Sequence, residues 1–577
     1  MHSLWRVFDK KGMTEMSKLS IPVGISNFEK IRNGGFYYID KTGLIAELVR
    51  SSAEVTLITR PRRFGKTLGM SMLESFFDIR KDSKKLFDGL EISHQKNLCE
   101  KWMNQWPVVF LSLKNVDGIH FSDAYQQLVY EISLLYQQHD NLLKSTALSD
   151  RDKFLFKQLQ ERQAGKTDIM RSLQFLTRLL EQHYGKKVIL LIDEYDVPLD
   201  KAFQYGYYDE MVSLIRNMFG NVLKTNSSLF FAVLTGCLRI AKESIFTGLN
   251  NFNVFSITSV QFDEFFGFTD DEVAEMLKYF GLSDYHETIR EWYDGYQFGK
   301  KAVYCPWDVI SYCRNLCADP DAIPEDFWSN TSSNSIVSRF IDKANKQTRD
   351  EIENLISGET VIKEIKQELT YNELDKSIKN LWSILFTTGY LTQRERIDSR
   401  KLRLAIPNRE IKELFELQIR EWFQEKSSED VKKLDKLCMA FPDGDAETIE
   451  DLFNDYLWNT ISIRDTAVKG RKENFYHGVL LGLLSHMENW AVWSNIESGE
   501  GYCDILLEVP ENRVGVVIEM KYAQEDRMEA ACTEALKQIE QRQYAARLKS
   551  DGMENIVNYG IACYRKHCKV KIGKENS

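Results

Sequence analysis

Gly65-Lys66-Thr67 closes the stretch Arg60-Pro-Arg-Arg-Phe-Gly-Lys-Thr67, which follows the apolar run Val55–Thr59. A strand that breaks into a loop ending in Gly-Lys-Ser/Thr can hold a nucleoside triphosphate. Backbone N–H groups cradle the phosphates, the lysine reaches the β and γ oxygens, and the hydroxyl meets Mg²⁺. Gly65, Lys66 and Thr67 fit those roles, with Arg63 and Phe64 lining the loop. The usual G-x-x-x-x-G-K-[ST] spacing asks for glycine at position 60, where this chain has arginine, so the assignment needs a second site. It comes at Val188-Ile-Leu-Leu-Ile192, which ends in Asp193-Glu194. One acid after a buried strand holds Mg²⁺ and a second orients or deprotonates the attacking water; Asp193 suits the first role and Glu194 the second. The competing reading is a solvated strand end.

A second constellation stands near the C-terminus. Asp504–Val509 and Val514–Tyr522 read as strands joined by Pro510-Glu-Asn-Arg513, and a four-residue loop sets Asp504 opposite Glu519. Opposed like charges destabilise a sheet unless something offsets them, and a divalent cation does so. Lys521, two residues beyond Glu519, falls on the same face by strand alternation. Two acids binding Mg²⁺ beside an ammonium are equipped to cut a phosphodiester. The bland alternative is an ordinary strand end with a turn acid. Glu473 and His477, one turn apart on a helix over Phe475–Met487, and Gln538, on a helix around Ala530–Tyr544, are lesser candidates for the same site. The basic residues of Lys469-Gly-Arg-Lys472 are placed to hold a phosphate backbone.

These groups need a frame to position them. Val55–Thr59, Val108–Leu113, Val188–Ile192, Leu229–Thr235 and Phe252–Thr258 read as parallel strands, with helical patterns such as Phe121–Tyr136 and Ile169–His183 between them. Their number suits a sheet whose fourth strand lies between the P-loop strand and the acidic strand. That order brings Thr235 beside the γ-phosphate, with Arg239 four residues on. Thr269 and Glu272 form a capping box for a new helix. Further on, Leu381–Thr388 reads as a helix, Leu402–Ile406 as a strand and Asn408 as the cap of helix Ile411–Phe423, a winged-helix-like order. Asp443-Gly-Asp445 is the expected hinge before the last domain.

At 577 residues, 43% apolar and 28% charged, the chain reads as several folded domains. A net charge of −10 restricts nucleic-acid contact to local basic clusters. No apolar run reaches membrane-spanning length and no signal segment opens the chain, so a cytoplasmic protein without membrane contact is expected. The ten cysteines lack metal-site spacing and read as free thiols. The aromatic clusters Trp292–Tyr296 and Tyr304–Trp307 read as core.

The chain resembles a bacterial family of AAA-ATPase-like proteins with a C-terminal PD-(D/E)XK nuclease-superfamily domain. The likeness rests on Ile21-Pro-Val-Gly24, Tyr38-Ile-Asp-Lys-Thr42, Arg60–Thr67, Leu191-Ile-Asp-Glu-Tyr-Asp196, Thr235-Gly236, Asn474-Phe-Tyr-His-Gly478 and Glu519-Met-Lys521. It implies that arginine at position 60 is the family's own form of the loop. The departure is Gly501-Tyr-Cys-Asp504, where relatives carry Gly-Arg-Pro-Asp. The expected architecture is α/β: residues 1–18 a tail, 19–280 a P-loop ATPase domain, 281–442 a helical, winged-helix-like region, and 443–577 a restriction-endonuclease-like domain. The expected activity is an ATP-binding and hydrolysing switch, using ATP and Mg²⁺, that controls a nuclease acting on nucleic acid, DNA more than RNA. The alternative is an ATP-dependent binding protein with a catalytically inactive nuclease fold.

Overall fold

The computed structural model describes residues 19–238, 245–246, 252–328, 337, 340, 346–369, 373, 377–427, 431–460, 473–487, 489–498, 501–564 and 567–573. Residues 1–18 and Arg239 lie outside them. The described residues fall into two compact units: one lies within Met1–Gly236, Lys242–His286 and Tyr304–Ile323, the other within Cys237–Ala241, Glu287–Val303 and Pro324–Ser577.

The first unit is built on β1 (Val55–Thr59), β2 (Val108–Ser112), β3 (Val188–Asp193), β4 (Leu229–Gly236) and β5 (Phe252–Phe255), in the order β2-β3-β4-β1-β5. All pairings are parallel. Every residue of β1 and β3 is buried, which is why both read as unbroken apolar runs and not as alternating ones. The fourth strand lies between the P-loop strand and the acidic strand, as expected. β5 stops at Phe255, short of the expected Thr258, because a turn closes there: Ser259 donates its N–H to the Ser256 carbonyl at 3.0 Å. Helices Lys66–Phe77, Phe121–Gln137 and Lys166–Tyr184 cover the sheet, the last ending on Gly185 at φ 68°. Thr269 caps helix Asp270–Phe280, its hydroxyl accepting from Glu272 N while the Glu272 carboxylate accepts from Thr269 N.

In the second unit, β6 (Tyr296–Phe298) pairs with β7 (Lys301–Val303), and β8 (Val361–Glu364), β9 (Thr392–Arg396) and β10 (Lys401–Ala405) form an antiparallel sheet in the order β8-β10-β9. Helix Ile378–Thr388 precedes the β9–β10 hairpin, and Asn408 caps the following helix, accepting from Ile411 N at 3.1 Å. Of the expected core aromatics, Trp292, Tyr293 and Tyr296 are buried in this unit and Tyr304 in the first, whereas Trp307 is only half-buried.

The C-terminal sheet runs β11 (Ala491–Ser498), β12 (Gly501–Val509), β13 (Val514–Tyr522), β14 (Asn555–Tyr564), β15 (His567–Ile572) in spatial order. Only β13 and β14 run parallel, and helix Met528–Arg542 makes the crossover between them. Asp443-Gly-Asp445 is a turn with Gly444 at φ 75°, and Asp445 accepts from Thr448 N at the start of helix Ala446–Thr460. That helix is stitched to β15, where Asn454 donates to the Cys568 carbonyl and accepts from Cys568 N. The ten cysteines are free thiols. No helix among the described residues is long and apolar enough to cross a membrane.

Candidate functional site

The phosphate loop leaves β1 at Thr59 and ends where Lys66 opens its helix. Arg63 and Gly65 both take left-handed backbone, at φ 70° and 78°. Alternation of right- and left-handed residues turns successive N–H groups to one side and makes an anion-binding hollow. Lys66 is buried, and its ammonium donates to the carbonyls of Arg60 at 3.0 Å and Pro61 at 2.8 Å. The Thr67 hydroxyl donates to Asp193 Oδ2 at 2.8 Å, and Thr235, from the adjoining β4, donates to Asp193 Oδ1 at 2.5 Å. Asp193 is fully buried at the end of β3. Glu194 follows with φ 53°, and burial, then the neighbouring Asp193 charge, push its carboxyl above the usual range. Phe64 is buried.

Arg60 explains the missing glycine. Its N–H donates to Gly236 O at 3.1 Å, and its guanidinium, wholly buried, donates to the carbonyls of Thr59, Phe255 and Phe262 at 2.9 to 3.1 Å. Burial lowers it to about 9, opposed by Asp263. The side chain braces the base of the loop against β5, where a glycine offers no such brace. A hydroxyl and a carboxylate already within hydrogen-bond distance of one another, Thr67 and Asp193, fit Mg²⁺ bound beside the phosphates.

At the C-terminal site, β12 and β13 pair from Val509↔Val514 to Ile505↔Ile518, the register expected from a four-residue turn. The ladder stops one pair before Asp504 and Glu519. Cys503 and Leu506 both pack into one core cluster, so strict side-to-side alternation breaks at this point of β12, and Asn495 on β11 takes φ 48°. The carboxylate of Asp504 fills the gap: Oδ2 accepts from Met520 N at 2.7 Å. Its carbonyl faces His477 Nε2 at 2.8 Å, a donor on helix Glu473–Leu484.

Glu519 is 2% exposed, and its Oε1 accepts from Lys521 Nζ at 3.0 Å and from Gln538 Nε2. Its Oε2 is buried with no hydrogen-bond partner. Burial, then the Asp504 charge, raise this carboxyl to about 7. A second acid nearby and an oxygen without a donor fit a cation, and Mg²⁺ is commonly held by one or two carboxylates with water completing its shell. Among the described residues no three His, Cys, Asp or Glu side chains form a metal cage.

The structure thus gathers Lys66, Thr67, Asp193, Glu194 and Thr235 at one site, and Asp504, Glu519, Lys521, His477 and Gln538 at the other. Lys469, Arg471, Lys472 and the side chain of Glu473 lie outside the described residues. His477 is buried and reaches the Asp504 backbone, so it supports the site from beneath. Of the basic residues near the C-terminus, Lys569 pairs with Glu450 and Lys571 with Glu529, while Arg565, Lys566 and Lys574 lie outside the described residues. Arg63 turns its side chain toward Asp308, at 3.8 Å, and Trp307. Sequence reading missed Met520 N–H, which no side-chain pattern marks, and Asp308, which reads as a routine first-turn acid of helix Pro306–Ala318.

Residues 22–246 match the predicted AAA-ATPase family, AAA-ATPase-like, and residues 471–572 match the PD-(D/E)XK nuclease superfamily. The uncharacterized protein in the vnfD 5′ region of Azotobacter chroococcum mcd 1 is 28% identical over 406 residues, covering 69% of this chain and 69% of its own. The phosphate loop facing an acidic strand end, and the paired carboxylates with their lysine, fall one within each matched segment: the chain carries an N-terminal region of the predicted AAA-ATPase-like family and a C-terminal domain of the PD-(D/E)XK nuclease superfamily.

Proposed function

We propose that the chain is an ATP-binding and hydrolysing switch whose state controls a Mg²⁺-dependent nuclease acting in the cytoplasm on DNA or RNA, DNA by preference. Residues 19–280 form the ATPase domain, 281–442 a winged-helix-like middle region whose segment 304–323 belongs to the first unit, and 443–577 a restriction-endonuclease-like domain. The buried, partnerless Glu519 Oε2 beside Asp504 and Lys521 carries the nuclease reading. An oxygen left without a donor beside a second acid is where a bound cation would be accommodated.

In the first site Lys66 exchanges two carbonyl acceptors for phosphate oxygens, Thr67 and Asp193 hold Mg²⁺, and Glu194, kept basic by its raised pKa, orients or deprotonates the attacking water. In the second, Asp504 and Glu519 hold the metal. Bound Mg²⁺ supplies Lewis acidity and a water of lowered pKa. Met520 N–H fixes the Asp504 carboxylate, Gln538 fixes Glu519, and Lys521 offers its ammonium to the charge developing on the scissile phosphate.

The test is purified full-length protein with Mg²⁺ and ATP on single-stranded DNA, duplex DNA and RNA. Cleavage that disappears in Glu519→Ala supports the reading. No cleavage of any substrate, with no Mg²⁺ or Mn²⁺ uptake by calorimetry, leaves a nucleotide-dependent binding protein in its place.

A further inference from the structure

The phosphate loop contains a residue whose backbone does not suit its side chain. Arg63 holds φ 70°, a region that glycine enters freely and a long side chain does not. Together with Gly65 at φ 78° it shapes the run of N–H groups from Arg63 to Thr67. Such a conformation persists only where surrounding groups hold it.

Several of those groups come from the start of one helix. The Arg63 side chain is 8% exposed, with Nη1 3.8 Å from Oδ1 of Asp308, whose carboxylate is fully buried. The guanidinium carbon lies 5.9 Å from the centre of the Trp307 ring, and the Cys305 thiol approaches the Arg63 carbonyl at 4.0 Å. Cys305, Trp307 and Asp308 belong to the start of helix Pro306–Ala318, with Pro306 in its first turn. A carboxylate with no access to water needs a cation close by, so the pair resists separation in both directions.

We propose that Asp308 is a positioning residue for the nucleotide: by holding the Arg63 guanidinium it keeps the backbone at 63 left-handed and the phosphate-binding N–H groups aligned. Asp308 itself touches no phosphate. This rests on the nucleotide-binding reading above and adds a determinant from outside the matched loop.

Two substitutions separate this role from a merely structural one. In Asp308→Asn the charge is lost with the shape kept, and the Kd for a fluorescent ATP analogue with Mg²⁺ rises about tenfold, the scale of one strained backbone residue. In Arg63→Gly the backbone takes positive φ unaided, so introducing it into Asp308→Asn recovers most of the affinity that Asp308→Asn alone loses. Adding Asp308→Asn to Arg63→Gly then costs no further affinity. Equal losses from Asp308→Asn in both backgrounds overturn the proposal, because the acid would then act independently of Arg63. A large loss in Arg63→Gly alone overturns it too, since the guanidinium would itself be the phosphate ligand. Should the unmutated chain bind no ATP analogue, and Lys66→Ala change nothing, the nucleotide reading falls and takes this inference with it.

Discussion

Glu519 keeps its proton to about 7, against an ordinary value of 4.5, because burial and then Asp504 penalise its anion. The native state therefore binds more protons than the unfolded chain between about 4.5 and about 7, and stability falls as pH rises through that window. The loss amounts to at most about 3 kcal/mol and is complete above the native value. Thermal melting of the metal-free protein across this range is expected to show the decline, and Glu519→Gln to remove it. Mg²⁺ favours the ionised carboxyl, so its affinity rises with pH through about 7. A melting curve indifferent to pH, with and without Mg²⁺, contradicts the site. At this scale the sequence was informative where chemistry is tied to spacing: Thr67 of the loop meets Asp193 of the acidic strand. It was silent on the anchors of Asp504, because a backbone N–H from Met520 and a break in alternation leave no mark on residue types.

Among the elements, helix Met528–Arg542 owes its place over the carboxylates to Gly560. This glycine pairs with Glu519 across β13 and β14, and a Cβ built on it falls 2.2 Å from the Cys532 carbonyl oxygen and 3.1 Å from the Ala535 Cβ. A backbone oxygen cannot swing aside, so Gly560→Ala displaces the helix at an overpacking cost of about 1–3 kcal/mol. Gln538, on that helix, then loses its reach to Glu519. Metal affinity, measured by calorimetry, is expected to fall together with the melting temperature. Gly478→Ala is the control, since nothing lies within 4 Å of the added carbon. Retained metal affinity in Gly560→Ala separates the helix from the site. The five strands of the P-loop sheet and the central β12–β13 pair of the C-terminal sheet were readable from apolar runs, and the P-loop sheet order from the number of its strands, whereas β11, β14 and β15 went unread. The dependence of one helix on a single glycine was not, for a strand glycine carries no sign of what packs against it.

At the level of the whole chain, segment 304–323 belongs to the first unit while the residues before and after it, 287–303 and 324 onward, belong to the second. The chain thus threads from the second unit into the first and back, and it does so through the helix whose Asp308 meets the phosphate loop. No motif announces such a passage, since only three-dimensional packing decides to which body a helix belongs. If nucleotide binding alters the affinity of the nuclease site for its ligands, linkage demands the converse: whatever binds at the carboxylate pair must alter nucleotide affinity by the same factor. Coupling of this kind is typically about 5- to 150-fold. Cleavage rates measured with ATP, with a non-hydrolysable analogue and without nucleotide are therefore expected to differ, and Lys66→Ala to give the nucleotide-free rate in all three. In the reverse experiment, ATP affinity in the Glu519→Gln background is measured with and without an oligonucleotide and is expected to shift by the factor by which ATP shifts oligonucleotide affinity in that background. Three equal rates, alongside an ATP affinity blind to the oligonucleotide, make the two sites independent enzymes on one chain.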